Sequence, residues 1–415
     1  MSGLRTVEEH LADVLAAAAP LPGERVQLAD AHGRTLVEPV RAAVDIPVFD
    51  NSAMDGFAVR FADVTDAAPG APASLRVVAD LPAGTAADPA LDRGEAARIM
   101  TGSPVPSDAD AIVPFEDTAG GLADSLGSIS VLRAPRAQGA HIRRAGEDAR
   151  VGDEILPAGA LLGALQVAAA AAAGAAEVVV ARRPRVAVIS TGSELVEPGS
   201  PLRRGQIPES NSVLLAALAT DAGAEVVRRA SVPDEPGELD ALLAEVTDAG
   251  SPRAADVVVF SGGVSAGAYE VVKTTLARTM VFSKVAMQPG KPQGFGRLHD
   301  NGALLFGLPG NPVSAAVSFE VFVRPALLQL QGRRTLERPV MALPAASAWR
   351  TPPDRRQYLP VVIDRSDPRG WRVGPATSGG SHLAGGLGRA EAYAVVPAEV
   401  EAVAAGDVVD VMLIS

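Results

Sequence analysis

Between Arg185 and Leu330 the chain alternates short apolar runs with segments of helical periodicity, and few architectures accept that order. Strands are expected at Arg185–Ser190, Glu225–Ser231, Asp256–Phe260 and Ala303–Leu308. Helices are expected from Ser212 to Asp221, Glu238 to Val246, Tyr269 to Arg278 and Pro312 to Leu330. Ser210 or Asn211 is the expected cap of the first helix. Asn311 caps the last, with Pro312 at its first position. Strands that alternate with helices require right-handed crossovers and a parallel sheet covered on both faces.

The flanks read differently. Thr6 to Ala18 is an amphipathic helix with Val7, Leu11, Val14 and Leu15 on one face. From Val26 to about Arg150 short β runs such as Leu75–Val78 and Ile129–Leu132 are broken by Gly and Pro. An Ala-rich helix follows from Leu161 to Ala173, with Gly174 beyond its end. After about Arg334 the chain returns to β at Tyr358–Ile363, Ala392–Val396 and Val408–Ile414. The 415 residues therefore read as a multidomain α/β plus β protein. A central parallel-sheet α/β domain is flanked by a β-rich N-terminal half and a C-terminal β domain. Ile155 to Ala176 is uncharged for 22 residues, long enough to span a bilayer. Its Pro157, Gln166, three glycines and many alanines point instead to a buried helix. Glu8, Glu9, His10 and Asp13 stand where a signal peptide needs apolar residues, so a soluble, cytoplasmic protein is expected.

Charge and cysteine content narrow the chemistry. A net charge of −12 weighs against nucleic acid and anionic membrane as partners. With no cysteine, disulfides, Cys-ligated metals and thiol nucleophiles are excluded. Only three of the 37 basic side chains are lysine, at Lys273, Lys284 and Lys291. Clustered amines in a chain that otherwise uses arginine suit a local anion site, or one surface stretch that happens to use lysine.

A parallel sheet binds its ligand beyond the C-terminal ends of its strands, and the polar turns fall there. They are Thr191-Gly192-Ser193-Glu194, Pro233-Asp234, Ser261 to Gly267, and Pro309 to Ser314. Ser261 to Gly267 is a glycine-rich strand-to-helix turn able to cradle a phosphate, although a plain tight turn has the same composition. It is neither a Walker A loop nor a dinucleotide fingerprint. Singly, Glu194, Asp234 and Glu270 are ordinary solvated acids or helix caps. Beside the glycine turn, the three together suggest Mg2+ accompanying a substrate phosphate. Lys291 sits in Pro289-Gly290-Lys291-Pro292, where two prolines stiffen the turn, and Lys284 precedes a strand. The five histidines, His10, His32, His141, His299 and His382, lack metal-ligand spacing and read as surface or packing residues. Two further polar runs, Asp45 to Gly56 and Arg98 to Asp110, are explained equally well by Asx-turns or by a site.

The run Asp45-Ile46-Pro47-Val48-Phe49-Asp50-Asn51-Ser52-Ala53-Met54-Asp55-Gly56 resembles the signature of the molybdopterin molybdenumtransferases, the MoeA / gephyrin E-domain family. Met100 to Pro104, Gly146-Glu147-Asp148, Ser190 to Leu195, Ser261 to Gly267, Pro289 to Pro292 and Leu308 to Ser314 follow in that family's order, across essentially the whole chain. The resemblance implies insertion of molybdate into adenylylated molybdopterin with release of AMP, usually with Mg2+. It also implies an elongated homodimer of four-domain subunits whose active cleft is shared between subunits. The upstream molybdopterin adenylyltransferase is a candidate partner. The domains would be residues 1–46 with 147–181 (extended), 47–146 (β-rich), 182–332 (α/β) and 333–415 (C-terminal β).

Residue by residue, Asp55, Thr101 and Asp148 match functional positions, the first two reaching in from the partner subunit. Glu194, Asp234 and Glu270 would hold the metal. Lys284 and Lys291 would meet the anionic substrate. Ser261, Gly262, Gly263, Ser265, Gly267, Pro289, Gly290, Pro309, Gly310 and Asn311 would shape the substrate site. Ser314, Arg355 and Ser381 would hold molybdate. This chain departs from the pattern at Glu270, commonly Asp, at Gln288, commonly Lys, and at Ser193, usually Asp. Two rival readings are a molybdopterin adenylyltransferase using Mg-ATP and a non-enzymatic dimeric scaffold like the gephyrin E domain.

Overall fold

The computed structural model describes residues 3–121, 126–233, 237–263, 271–376, 382 and 384–414. The α/β domain carries six strands: β1 Arg185–Thr191, β2 Glu225–Val232, β3 Val257–Ser261, β4 Met280–Lys284, β5 Pro292–Arg297 and β6 Leu304–Leu308. They lie side by side in the order β2-β1-β3-β6-β5-β4. The first four positions of that order are parallel, as expected. The sheet as a whole is mixed, however, because β5 runs antiparallel to β6 and β4 antiparallel to β5. This edge hairpin is not visible in the hydrophobic periodicity, and Lys284, expected before a strand, is the last residue of β4. Gly294 and Gly296 interrupt any alternating pattern there. Gly296 is dictated by crowding, since a Cβ would stand 2.3 Å from the Thr279 carbonyl oxygen.

Strand alternation distributes the core to both faces. Val257, Val259, Leu304 and Phe306 pack with α1 (Asn211–Asp221) and α4 (Pro312–Leu330). Val258, Phe260 and Leu305 pack with α2 (Glu238–Thr247) and α3 (Val271–Leu276). Helix α4 is long and apolar enough to cross a membrane, but 89% of its apolar window is buried inside the protein. It contains a π turn at Phe319–Val323. The uncharged stretch weighed as a membrane span resolves into the strand Glu154–Leu156, a turn and a helix of only 9 residues, Ala164–Ala172.

The N-terminal helix Val7–Ala17 is closed by a reciprocal Thr6–Glu9 capping box. It packs against α4, where Gln329 Nε2 donates to the Leu15 and Ala18 carbonyls at 2.6 and 2.7 Å. Short antiparallel pairs then bring distant segments together: Gly23–Gln27 with Glu177–Ala181, and Val40–Arg41 with Glu154–Leu156. Between them lies a five-stranded sheet in the order Ala111–Pro114, Gly56–Val59, Glu95–Ile99, Ala73–Leu81, Ser128–Val131. Gly56 has no alternative in it, because a Cβ would fall 2.1 Å from the Val113 carbonyl oxygen.

The C-terminal sheet is built on Arg356–Asp364, Ala392–Val396, Val408–Leu413 and Val340–Pro344. Its outer strand is Met287–Gln288, borrowed from the α/β segment and paired parallel with Arg356–Gln357. A buried Glu320 in α4 accepts two bonds from Arg338, at 3.0 and 3.1 Å, where the chain enters this domain.

His10 is buried between the N-terminal helix and α4, with its ring 4.6 Å from that of Phe322 and neither nitrogen hydrogen-bonded among the described residues. Burial, helped by nearby Arg5 and opposed by Asp13, lowers its pKa to about 4. The unfolded chain takes up this proton near pH 6.5 and the folded chain only near 4. Stability from a neutral His10 is therefore complete above about pH 6.5 and is lost progressively down to about 4. Denaturant titrations at pH 7 and 5 are expected to show a loss of about 2 kcal/mol in the wild type that His10→Phe abolishes.

Candidate active site

Register places the cleft. Ser190 stands opposite Ser261, and Ser261 opposite Leu308, so the turns after β1, β3 and β6 leave the sheet at one level. They surround a cleft of about 750 Å³. Its lining includes Glu194, Gly262, Gly263, Pro309, Gly310, Asn311 and Ser314 from the α/β domain. The turn Pro289, Gly290 and Lys291 forms a further wall, and Arg355 enters from the C-terminal domain. Arg355 arrives there because the Met287–Gln288 ladder ends beside it, and its Nη1 donates to Gln288 Oε1 at 2.8 Å. Gln288, the departure from the family's usual lysine, is thus the acceptor that orients Arg355. Ser261 lies behind the wall, its hydroxyl accepting from Asn211 Nδ2 at 2.8 Å. Asp234, Ser265, Gly267, Glu270 and Ser381 lie outside the described residues.

Gly262 and Gly263 both have left-handed backbone, and a Cβ on Gly262 would meet the Thr191 carbonyl at 2.6 Å. Bare backbone therefore faces the cleft at this turn. Helix α4 points its N-terminus into the same space, and its first-turn N–H groups have no partner within the helix. Asn311 occupies the cap position expected of it, although its side chain makes no capping bond.

At the floor lies a carboxylate that the sequence reading missed. Glu209 is 3% exposed. Its Oε1 accepts from the Ser190 hydroxyl at 2.8 Å and the Ser212 amide at 2.7 Å, and its Oε2 from the Ser212 hydroxyl. These donors and the positive end of α1 compensate the buried charge. Glu209, not Ser210 or Asn211, is the side chain that caps α1. In Pro208-Glu209-Ser210-Asn211 the two better cap formers beside it hid this role. His382 also borders the cleft, at the surface as expected but next to the site.

The remaining candidates are elsewhere in the same subunit. Asp55 and Thr101 are brought together on the exposed surface of the five-stranded domain. Asp55 Oδ1 accepts from the Thr101 amide and the Thr101 hydroxyl, both at 2.7 Å. The amide bond first, then the hydroxyl bond, holds the Asp55 carboxyl below its ordinary pKa. Asp148 is exposed in a turn whose amide donates to the Ile46 carbonyl at 2.9 Å. Lys284 is exposed and does not border the cleft, whereas Lys291 does. Among the described residues no group of three His, Asp or Glu gathers as a metal site. Glu194 supplies one carboxylate at the rim, folded back so that a Cβ on Gly192 would meet its Oε2 at 2.7 Å. One or two carboxylates beside substrate phosphates suffice for Mg2+, so the described residues fit that ion.

A cleft at the strand ends of an α/β domain, with Lys291 on its wall, is thus completed by Arg355 of a separate β domain. Family comparisons specify it further. Residues 5–174 match the MoeA N-terminal region (domain I and II), 187–329 the probable molybdopterin binding domain, and 342–414 the MoeA C-terminal region (domain IV). The chain is 43% identical to molybdopterin molybdenumtransferase 2 of Mycobacterium tuberculosis, over 97% of this chain and 98% of that one. It is 37% identical to molybdopterin molybdenumtransferase 1 of that organism, over 99% of both. A crystal structure of the molybdopterin biosynthesis MoeA protein of Pyrococcus horikoshii superposes with a TM-score of 0.83 at 28% identity, covering 99% of this chain and 100% of its own. The chain belongs to the molybdopterin molybdenumtransferase family, transferases of molybdenum cofactor biosynthesis.

Thr101→Val removes one of the two donors to Asp55 and leaves the amide. The Asp55 pKa is expected to rise toward, without reaching, the ordinary carboxylate value in an NMR titration of the side-chain carboxyl carbons. An unchanged value would show that the hydroxyl bond is not made in solution.

Proposed function

We propose that this chain transfers molybdenum from molybdate into adenylylated molybdopterin and releases AMP, as a cytoplasmic homodimer that uses Mg2+. The observation that carries the reading is the convergence of a glycine turn, a helix N-terminus, Lys291 and Arg355 in one cleft, with Glu194 at its rim. Two anions must meet there, and their mutual repulsion is the obstacle. Lys291, Arg355 and the first-turn N–H groups of α4 offset that repulsion and fix both partners in place. Ser314, Arg355 and Ser381 are assigned to molybdate, and the glycine turn to the substrate phosphate. Glu194, with Asp234 and Glu270, would hold Mg2+, which neutralises charge on the phosphate oxygens when bound. The substrate's own dithiolene supplies the sulfur ligands, so a chain without cysteine is competent.

Asp55 and Thr101 are exposed and do not border their own subunit's cleft, which favours delivery to a partner's cleft. Asp148 is assigned to the same contribution. The adenylyltransferase alternative leaves the C-terminal domain without a role, although that domain contributes Arg355 to the cleft.

Turnover of adenylylated molybdopterin with molybdate, compared with tungstate, tests the reading directly. AMP release and cofactor formation are expected, and intact substrate after prolonged incubation would overturn it. Lys291→Ala should slow insertion at least about tenfold at low molybdate with the fold intact. Mixing Asp55→Asn chains with Glu270→Ala chains should restore part of the activity, because one cleft of the heterodimer keeps both side chains. No recovery in a verified heterodimer rules out the shared cleft.

A further inference from the structure

The anions of the proposed reaction are held on two separate turns, and both turns contain glycine where they meet. The substrate phosphate is assigned to Gly262 and Gly263 after β3. Molybdate is assigned to a set that includes Ser314, in the first turn of α4. Strands β3 and β6 pair as far as Ser261 and Leu308, where the register ends. One backbone bond continues past that pair, from the Gly262 amide to the Leu308 carbonyl at 3.1 Å. Beyond it the turns touch, a Cβ on Gly310 standing 3.5 Å from the Gly262 Cα. Glycine backbone has many conformations of similar energy, and such a contact selects none of them.

A side chain from a third element supplies the link. Asn211 is the first residue of α1, and its Nδ2 carries two N–H groups. One donates to the Ser261 hydroxyl at 2.8 Å, immediately before the glycine turn. The other donates to the Gly310 carbonyl at 2.6 Å, immediately before the Asn311 cap of α4. The fork is itself anchored. Glu209, two residues earlier, accepts from the Ser190 hydroxyl near the end of β1 and from the Ser212 amide. The start of α1 is therefore a strap across the turns after β1, β3 and β6. We propose that Asn211 is a positioning residue for the transfer: its forked amide fixes the glycine turn against the N-terminus of α4, and so the separation of the two anions. This rests on the function proposed above, in which those anions must meet. Both N–H groups are spent on the protein, so their effect on the reaction passes through the two turns. A misplacement of about 1 Å between reacting groups costs on the order of 100-fold in rate. Each anion alone still finds its own turn. The signature is a loss of kcat without a rise in KM.

Steady-state turnover of adenylylated molybdopterin with molybdate tests it, in the full-length wild type, Asn211→Ala, Ser261→Ala and the double variant. Asn211→Ala is expected to lower kcat at least about tenfold. Its KM for each substrate should stay within about twofold of the wild-type value. Ser261→Ala keeps the bond to Gly310 and should lower kcat about threefold. In the double variant it should add nothing to Asn211→Ala, because the hydroxyl acts through that amide. An unchanged kcat in Asn211→Ala, or KM values that rise in step with the fall in kcat, overturns the positioning role and leaves the proposed function standing. Should Asn211→Ala not fold, Ser261→Ala decides, and a wild-type kcat there overturns the role. A wild type that leaves its substrate intact overturns the proposed function and this inference with it.

Discussion

A parallel ladder of two residues, Met287–Gln288 against Arg356–Gln357, makes the cleft a joint property of two domains. Everything on its cationic side depends on that contact. The ladder fixes where the Pro289–Pro292 turn begins, and so where Lys291 stands. It also brings Arg355 within reach of Gln288. A side chain 67 residues away in sequence thereby acquires a defined position next to the helix terminus of α4.

The cleft separates three kinds of chemistry by depth. Its wall is cationic, through Lys291 and Arg355, and suits oxyanions. Its rim carries the Glu194 carboxylate. Its floor is closed by Glu209, whose two carboxylate oxygens accept from Ser190 and Ser212. An unpaired acid at that depth would oppose the positive end of α4. Because Glu209 is bonded on both oxygens, it serves instead as the rivet that holds α1 against the strand ends.

Much of this was legible in the order of residues. The four parallel strands and four helices of the α/β domain follow from periodicity, because both faces of the sheet must be covered. Eleven of the expected site residues border the cleft, seven of them because turns at the ends of neighbouring parallel strands have nowhere else to go. What escaped was set by contacts between distant segments. The β4–β5 hairpin is held by pairing and close backbone approach, so its Gly-rich sequence shows no alternation. Glu209 and Asn211 look like an ordinary helix start until Ser190, Ser261 and Gly310 are seen around them. That Asp55 and Thr101 form a bonded pair is likewise a matter of fold, since 46 residues separate them.

The scarcity of lysine has a practical corollary. Among the described residues every ion pair uses arginine, which leaves the side-chain amines out of the electrostatic framework. A reagent that acylates amines has just three side chains to choose from in 415 residues. Two of them, Lys273 and Lys284, are exposed, and the third, Lys291, is half-buried in the cleft wall. The protein thus carries a built-in footprinting label: the ratio of modification at Lys291 to that at the other two reads occupancy of the cleft, with the exposed pair as internal standard.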